Sequence, residues 1–272
     1  MKKIVRLVIV AAGIFAFNSC TDKDGSINIF PVSKDVELGA QVAAQIESDP
    51  SHYPLMPLTG GTNGSYTKAH AYLNNIVDQI KATGKLDYKD EFAWKVRIIL
   101  DDNTLNAFCT PGGYIYVYTG LIKYLDKADH LAGVMGHEMG HAAHRHSTDA
   151  MTRDYGIQTL LDIVLGQSSK STLVTMAANL ASLKYSRGNE TEADMSSVEY
   201  LAGTGFACNG AGGFFQKLLD SNNGNCELGG FLSTHPCPEN RVQAINDKAS
   251  SNKCSTTASE DASYTTFKSY MP

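Results

Sequence analysis

The pentapeptide His137-Glu138-Met139-Gly140-His141 constrains this chain more than any other feature. It lies in a stretch, residues 128–146, whose apolar spacing predicts a helix. Histidines at i and i+4 stand one turn apart on one face, so two imidazole nitrogens can reach a single ion. Glu138 is rotated about 100° from His137, placed to take a proton from a water activated by that ion without being a ligand. The set suits zinc, which lowers a water's pKa to about 7 while a carboxylate accepts the proton. Composition alone would produce such a match in about 1–2% of chains like this one, so a chance pair of core or solvated histidines is the weaker reading. The same helix carries Gly133, Gly136 and Gly140. Each costs about 1 kcal/mol relative to alanine in a helix interior. Close packing against a sheet or another helix, with zinc binding added, offsets that deficit and predicts a buried helix.

A catalytic zinc keeps three protein ligands and a water. A third histidine ten residues after the first, with a glycine at seven, would supply one pattern, but Ser147 and His144 stand there. A helix continuing straight would carry His144 and His146 away from the ion, which predicts structural hydrogen bonds for both. The better candidate is Glu190, with Asp194 at i+4 placed to orient a ligating histidine from behind.

Elsewhere the pattern predicts helices over residues 36–46, 69–80, 190–201 and 239–248, and a helix pair over 157–165 and 173–183. Strands are expected at 92–100 and 114–118, the second after a Pro111-Gly112-Gly113 turn. No repeat of 20–50 residues is present, which excludes solenoids and propellers. The fold class is α+β and mostly helical, one domain over residues 31–250, with a loose Ser/Thr-rich tail over 251–272.

At the N-terminus, Lys2, Lys3 and Arg6 precede eleven uncharged residues, too few to span a bilayer, which takes about 20. This has the proportions of an export leader over residues 1–19, ending Phe17-Asn18-Ser19-Cys20. It resembles a bacterial lipoprotein signal, which makes Cys20 the lipidated residue and 20–30 a polar tether. Loss of residues 1–19 removes three of the 23 basic residues and none of the 28 acidic ones, moving the net charge from −5 to −8. Such a surface argues against nucleic acid as a partner and against electrostatic adsorption to anionic lipid. Membrane attachment would rest on the lipid anchor.

Four separated motifs together resemble the gluzincin metalloendopeptidases of the CAAX prenyl protease and HtpX type: Asn106-Ala107-Phe108 with Pro111-Gly112-Gly113, His137 to His141 with His146, Tyr185-Ser186-Arg187 with Glu190 and Ala193-Asp194, and Ser233-Thr234-His235-Pro236 with Glu239-Asn240-Arg241. The resemblance runs from about residue 35 to 248. It implies His137, His141 and Glu190 as ligands of one Zn2+ per chain, Glu138 as general base and Asp194 behind a ligating histidine. It also implies that His235 and Arg241 stand near the reacting carbonyl, as a donor and a fixed cation. Gly113, Tyr114, Ile115 and Tyr116 match the strand expected to border the cleft as an edge, onto which an extended peptide could add. Cys109, inside the first motif, is read as packing.

Cys208, Cys226, Cys237 and Cys254 cluster in the last quarter. In an exported protein they predict two disulfides, in any of three pairings, bracing the loop that carries His235. The expected function is an exported, lipid-anchored zinc endopeptidase acting on misfolded or unassembled envelope proteins at the periplasmic or outer-membrane face. The rival is a chaperone-like assembly factor with little proteolysis. The cleft is expected to be covered either by the helix pair over 157–183 or by the loop bearing His235.

Overall fold

Three short strands and the helices covering both faces of their sheet set the architecture. The computed structural model describes residues 30–221, 231–235, 240–258 and 262–272. The expected leader and Cys20, and the cysteines Cys226 and Cys237, lie outside the described residues.

The strands are β1 (Lys95–Ile99), β2 (Ala107–Thr110) and β3 (Tyr114–Tyr118), in the order β1-β3-β2. β3 runs parallel to β1 and antiparallel to β2. Alternation sorts their side chains. Phe108, Tyr116 and Tyr118 pack on one side with α1 (Val32–Glu47), whereas Val96, Ile98, Ala107, Cys109, Ile115 and Val117 pack on the other with α2 (Ser65–Ala82). A strand apolar at both parities must be covered on both faces, and the pairing shows that this one is also central. This corrects the expected edge. Gly113 precedes the central strand, and Tyr114, Ile115 and Tyr116 belong to it with partners on either side. The edges are β1 and β2; β1 is bridged on its outer side by Leu55 at Ile99, so β2 is the edge with no strand or bridge on its outer side among the described residues.

A short α3 (Thr119–Tyr124) leads into α4 (Ala128–Ala143), the helix of the two histidines. Almost every α4 residue is buried, because α4 packs on β2, α8 (Arg187–Leu201) and α9 (Gly210–Ser221). The glycines permit this approach: a Cβ built on Gly133 would stand 2.0 Å from the Ala211 backbone nitrogen. Gly133→Ala is therefore expected to lower stability by about 1–3 kcal/mol, despite the better helix propensity of alanine. A shift in the urea midpoint at constant slope checks it.

The expected single helix over 128–146 is in fact two. Its C-cap is His144, Arg145 turns the chain at φ 62°, and α5 (His146–Tyr155) starts in a new direction. α6 (Ile157–Val164) and α7 (Lys170–Asn179) form the expected pair, seated against α1. After α10 (Phe231–Thr234) and α11 (Arg241–Asn252), residues 262–268 form α12, Ala262–Lys268, rather than a loose tail. Tyr264, Phe267 and Met271 bury themselves there, and Phe267 stacks on Tyr72 at 4.3 Å. A disulfide joins Cys208, before α9, to Cys254, after α11. It ties those two helices together rather than the residues around His235. Among the described residues no helix is long and apolar enough to cross a membrane.

Candidate metal centre

α4 supplies His137 and His141 from one face, and α8 supplies Glu190 from the opposite side. Local chemistry fixes where α8 begins. Ser186 Oγ accepts from the Asn189 N–H, and Asn189 Oδ1 accepts from the Ser186 N–H, a reciprocal cap that sets the helix phase. Gly140 lets α8 approach closely: a Cβ there would lie 3.1 Å from Ala193 Cα.

Four donor-bearing side chains converge, all buried: His137, His141, Glu190 and His235, with one donor atom from each within 4.8 Å of the others. His137 Nε2 is 3.0 Å from His141 Nε2 and 3.3 Å from His235 Nδ1. Glu190 Oε2 lies 3.6 Å from His137 Nε2, and Oε1 lies 3.4 Å from His141 Nε2 and 2.9 Å from His235 Nδ1. Tetrahedral ligands at about 2.0–2.1 Å from an ion stand about 3.3–3.4 Å from one another, so these separations fit one ion. The charge states fit as well. Burial lowers the proton affinity of His137 and His141, leaving neutral imidazoles. Burial alone would raise Glu190, but His235 and hydrogen bonds from His141 and His235 hold its carboxyl well below the usual range. Two neutral imidazoles beside an ionised carboxylate is the donor chemistry a divalent cation requires.

Glu138 sits beside the cluster, fully buried, and neither carboxylate oxygen has a hydrogen-bond partner among the described residues. Burial pushes its pKa up to about 8. His235 Nε2 is 3.6 Å away.

Asp194 stands behind His137, its Oδ1 2.8 Å from His137 Nδ1. The structure moves Arg241 from its expected task. Arg241 donates through Nε and Nη2 to both Asp194 oxygens at 2.7 Å, pairs with Glu190 Oε2 at 3.0 Å, and lies 3.9 Å over the Phe215 ring. Its guanidinium is committed to these carboxylates, so it positions them rather than facing a carbonyl oxygen. His235 points its Nδ1 into the donor cluster and its Nε2 toward Glu138, 3.6 Å from Oε1. α10 holds His235 in place: Phe231 stacks on His235 at 4.1 Å and its N–H donates to Leu105 O ahead of β2.

Sequence reasoning gave Glu192 no role and left the partners of His146 and Tyr185 open. The turn at Arg145 returns His146 to His141, their Nδ1 atoms 2.9 Å apart, and Glu192 Oε2 lies 3.2 Å from His146 Nε2. Tyr185 stacks on His141 at 4.0 Å, and its hydroxyl is 3.2 Å from Ser147 Oγ. Glu192 carried a signal, two residues after Glu190 at the start of the same helix; the partner of His146 could not be read without the turn.

Two histidines from one helix and a glutamate from a second define a gluzincin-type metallopeptidase centre. Residues 67–249 match peptidase family M48, and the chain belongs to that family. It is 31% identical over 193 residues to metalloprotease YcaL of Escherichia coli (strain K12), covering 69% of this chain and 74% of that one. It is 35% identical over 166 residues to mitochondrial metalloendopeptidase OMA1 of Arabidopsis thaliana, covering 61% of this chain and 33% of the relative. To a beta-barrel assembly-enhancing protease of Yersinia pestis it is 31% identical over 177 residues, 59% of this chain and 36% of the other. The chain thus spans only about a third of the length of the last two relatives.

Proposed function

We propose that this protein is a zinc-dependent endopeptidase that cuts unfolded or misassembled segments of cell-envelope proteins. The reading is carried by the convergence of His137, His141, Glu190 and His235, with Glu138 buried beside them and without a hydrogen-bond partner among the described residues. Bound zinc would supply Lewis acidity toward the peptide carbonyl and make water acidic enough to react at neutral pH.

The chain's own residues do the rest. Glu138 takes the proton of the attacking water and hands it to the leaving nitrogen as the C–N bond breaks. Asp194, itself gripped by Arg241, fixes the ring of His137. His235, its Nε2 directed toward Glu138 beside the cluster, offers that N–H to the charge developing on the carbonyl oxygen. Substrate adds to the outer side of β2. Tyr118 N–H donates to Asn106 O, so by alternation Phe108 and Thr110 face β3 while Ala107 and Cys109 face outward. Ser147 Oγ donates to Cys109 O at 3.1 Å, leaving Ala107 C=O and Cys109 N–H for an extended peptide. Pairing of that kind reads backbone more than side chains, which suits unfolded segments. The envelope setting is supported by the expected leader and Cys20 anchor and by the beta-barrel assembly-enhancing proteases among the relatives.

Metal removal tests the reading. Dialysis of the purified chain against a chelator is expected to abolish cleavage of a reduced, unfolded protein, and one equivalent of zinc to restore it. A zinc-loaded protein that holds the unfolded chain yet never cuts it would replace the protease with an assembly factor.

A further inference from the structure

Each ligating histidine needs its second ring nitrogen fixed, and the two do not obtain this in the same way. His137 is supported directly, its Nδ1 facing Asp194 Oδ1 at 2.8 Å. His141 has no carboxylate there. Its Nδ1 faces the Nδ1 of another imidazole, His146, at 2.9 Å, and that imidazole turns its Nε2 to Glu192 Oε2 at 3.2 Å.

Two facing ring nitrogens admit one proton arrangement when His141 Nε2 gives its lone pair to an ion. The His141 proton is then on Nδ1 and is donated to His146 Nδ1. His146 must accept there, so its own proton is on Nε2 and is donated to Glu192. The chain ends on a carboxylate, as the shorter one behind His137 does. His141 and His146 are fully or almost fully buried, so no solvent competes for the middle of the relay, whereas Glu192 stands at its wetter end with a side chain 20% exposed. The other Glu192 oxygen is 3.4 Å from His144 Nδ1, and His144 Nε2 is 2.7 Å from Ser196 Oγ, which steadies the carboxylate from the α8 side. The relay exists because the chain breaks at Arg145: a straight α4 would carry His146 off, and the left-handed residue brings it back behind His141.

We propose that His146 and Glu192 are positioning residues for the metal ligand His141, acting in series to fix its tautomer and ring direction. The inference rests on the metal reading of the site and on nothing about substrate. It gives Glu192 a role at one remove from the ion and His146 the role of a neutral link.

Zinc affinity of the purified full chain, measured by competition with a chromophoric chelator, tests this directly. Glu192→Gln is expected to weaken zinc binding about tenfold and His146→Phe about 10–100-fold, the range such outer partners command. Lys34→Ala, at an exposed ion pair on α1 outside the relay, is expected to stay within about twofold of wild type. The double variant His146→Phe/Glu192→Gln should bind no more weakly than His146→Phe, since Glu192 acts through the ring that is gone. Equal affinity for wild type and Glu192→Gln would overturn the proposal even if His146→Phe failed to fold. So would a full additional loss in the double variant, which would make Glu192 a remote charge and not a link. A wild type that binds no zinc would instead overturn the metal reading itself.

Discussion

Glu138→Gln is expected to slow peptide-bond cleavage by about 10²–10⁴-fold while zinc stoichiometry stays at one per chain. The two readouts separate because Glu138 lies outside the converging donors yet directly beside them. Its carboxylate is buried without a hydrogen-bond partner among the described residues, an arrangement that structure alone gives no reason to keep. Burial pushes its pKa up to about 8, which makes it a stronger proton acceptor than an exposed glutamate. Glutamine fills the same volume and removes the base, so the variant should fold and still bind metal. Glu190→Gln is the contrast: it takes charge out of the donor set and should lose zinc along with activity. Cleavage of an unfolded protein followed by mass spectrometry, beside metal analysis of the same samples, checks both. A Glu138→Gln rate within tenfold of wild type would remove the carboxylate from the mechanism.

What could be read ahead of the structure was what is local and periodic. His137 and His141 declare their common face through a four-residue spacing, Glu190 and Asp194 do the same on α8, and the three glycines of α4 announce a close neighbour that proves to be α8 and α9. The misreadings came from contacts made across the chain. Arg145 adopts φ 62° with no glycine to signal it, because its guanidinium is held by groups more than a hundred residues earlier. Arg241 read as a cation available to substrate until Asp194 and Glu190 were seen to engage it. One error was avoidable. Tyr264, Phe267 and Met271 recur at helical spacing inside a Ser/Thr-rich stretch, which is the pattern of a docking helix.

The second large effect is expected far from the metal, at Asp35. Asp35→Ala should cost about 3–5 kcal/mol, a large part of the 5–15 kcal/mol by which domains are stable. Asp35 is in the first turn of α1, its side chain only 1% exposed, and it receives the Arg145 guanidinium on Oδ2 and Thr148 Oγ1 on Oδ1 at 2.9 Å. Arg145 also donates to the Phe30 carbonyl, so one cation joins the start of α1 to the turn between α4 and α5. Truncating the aspartate leaves a buried guanidinium without its carboxylate, and that orphaned charge, more than the lost attraction, sets the cost. For a domain of this size the melting temperature should fall by about 6–15 °C. Lys34→Ala, at the neighbouring exposed Lys34–Glu37 pair, should shift stability by less than about 1 kcal/mol. Because Arg145 also holds the turn that returns His146 to His141, the Asp35 variant should weaken zinc binding while still folded, whereas Lys34→Ala should not. Urea unfolding and chelator competition on the three proteins separate the possibilities. A loss of stability at Asp35→Ala with unchanged zinc affinity would confine the clamp to the fold, and a loss of less than 1 kcal/mol would remove it from both.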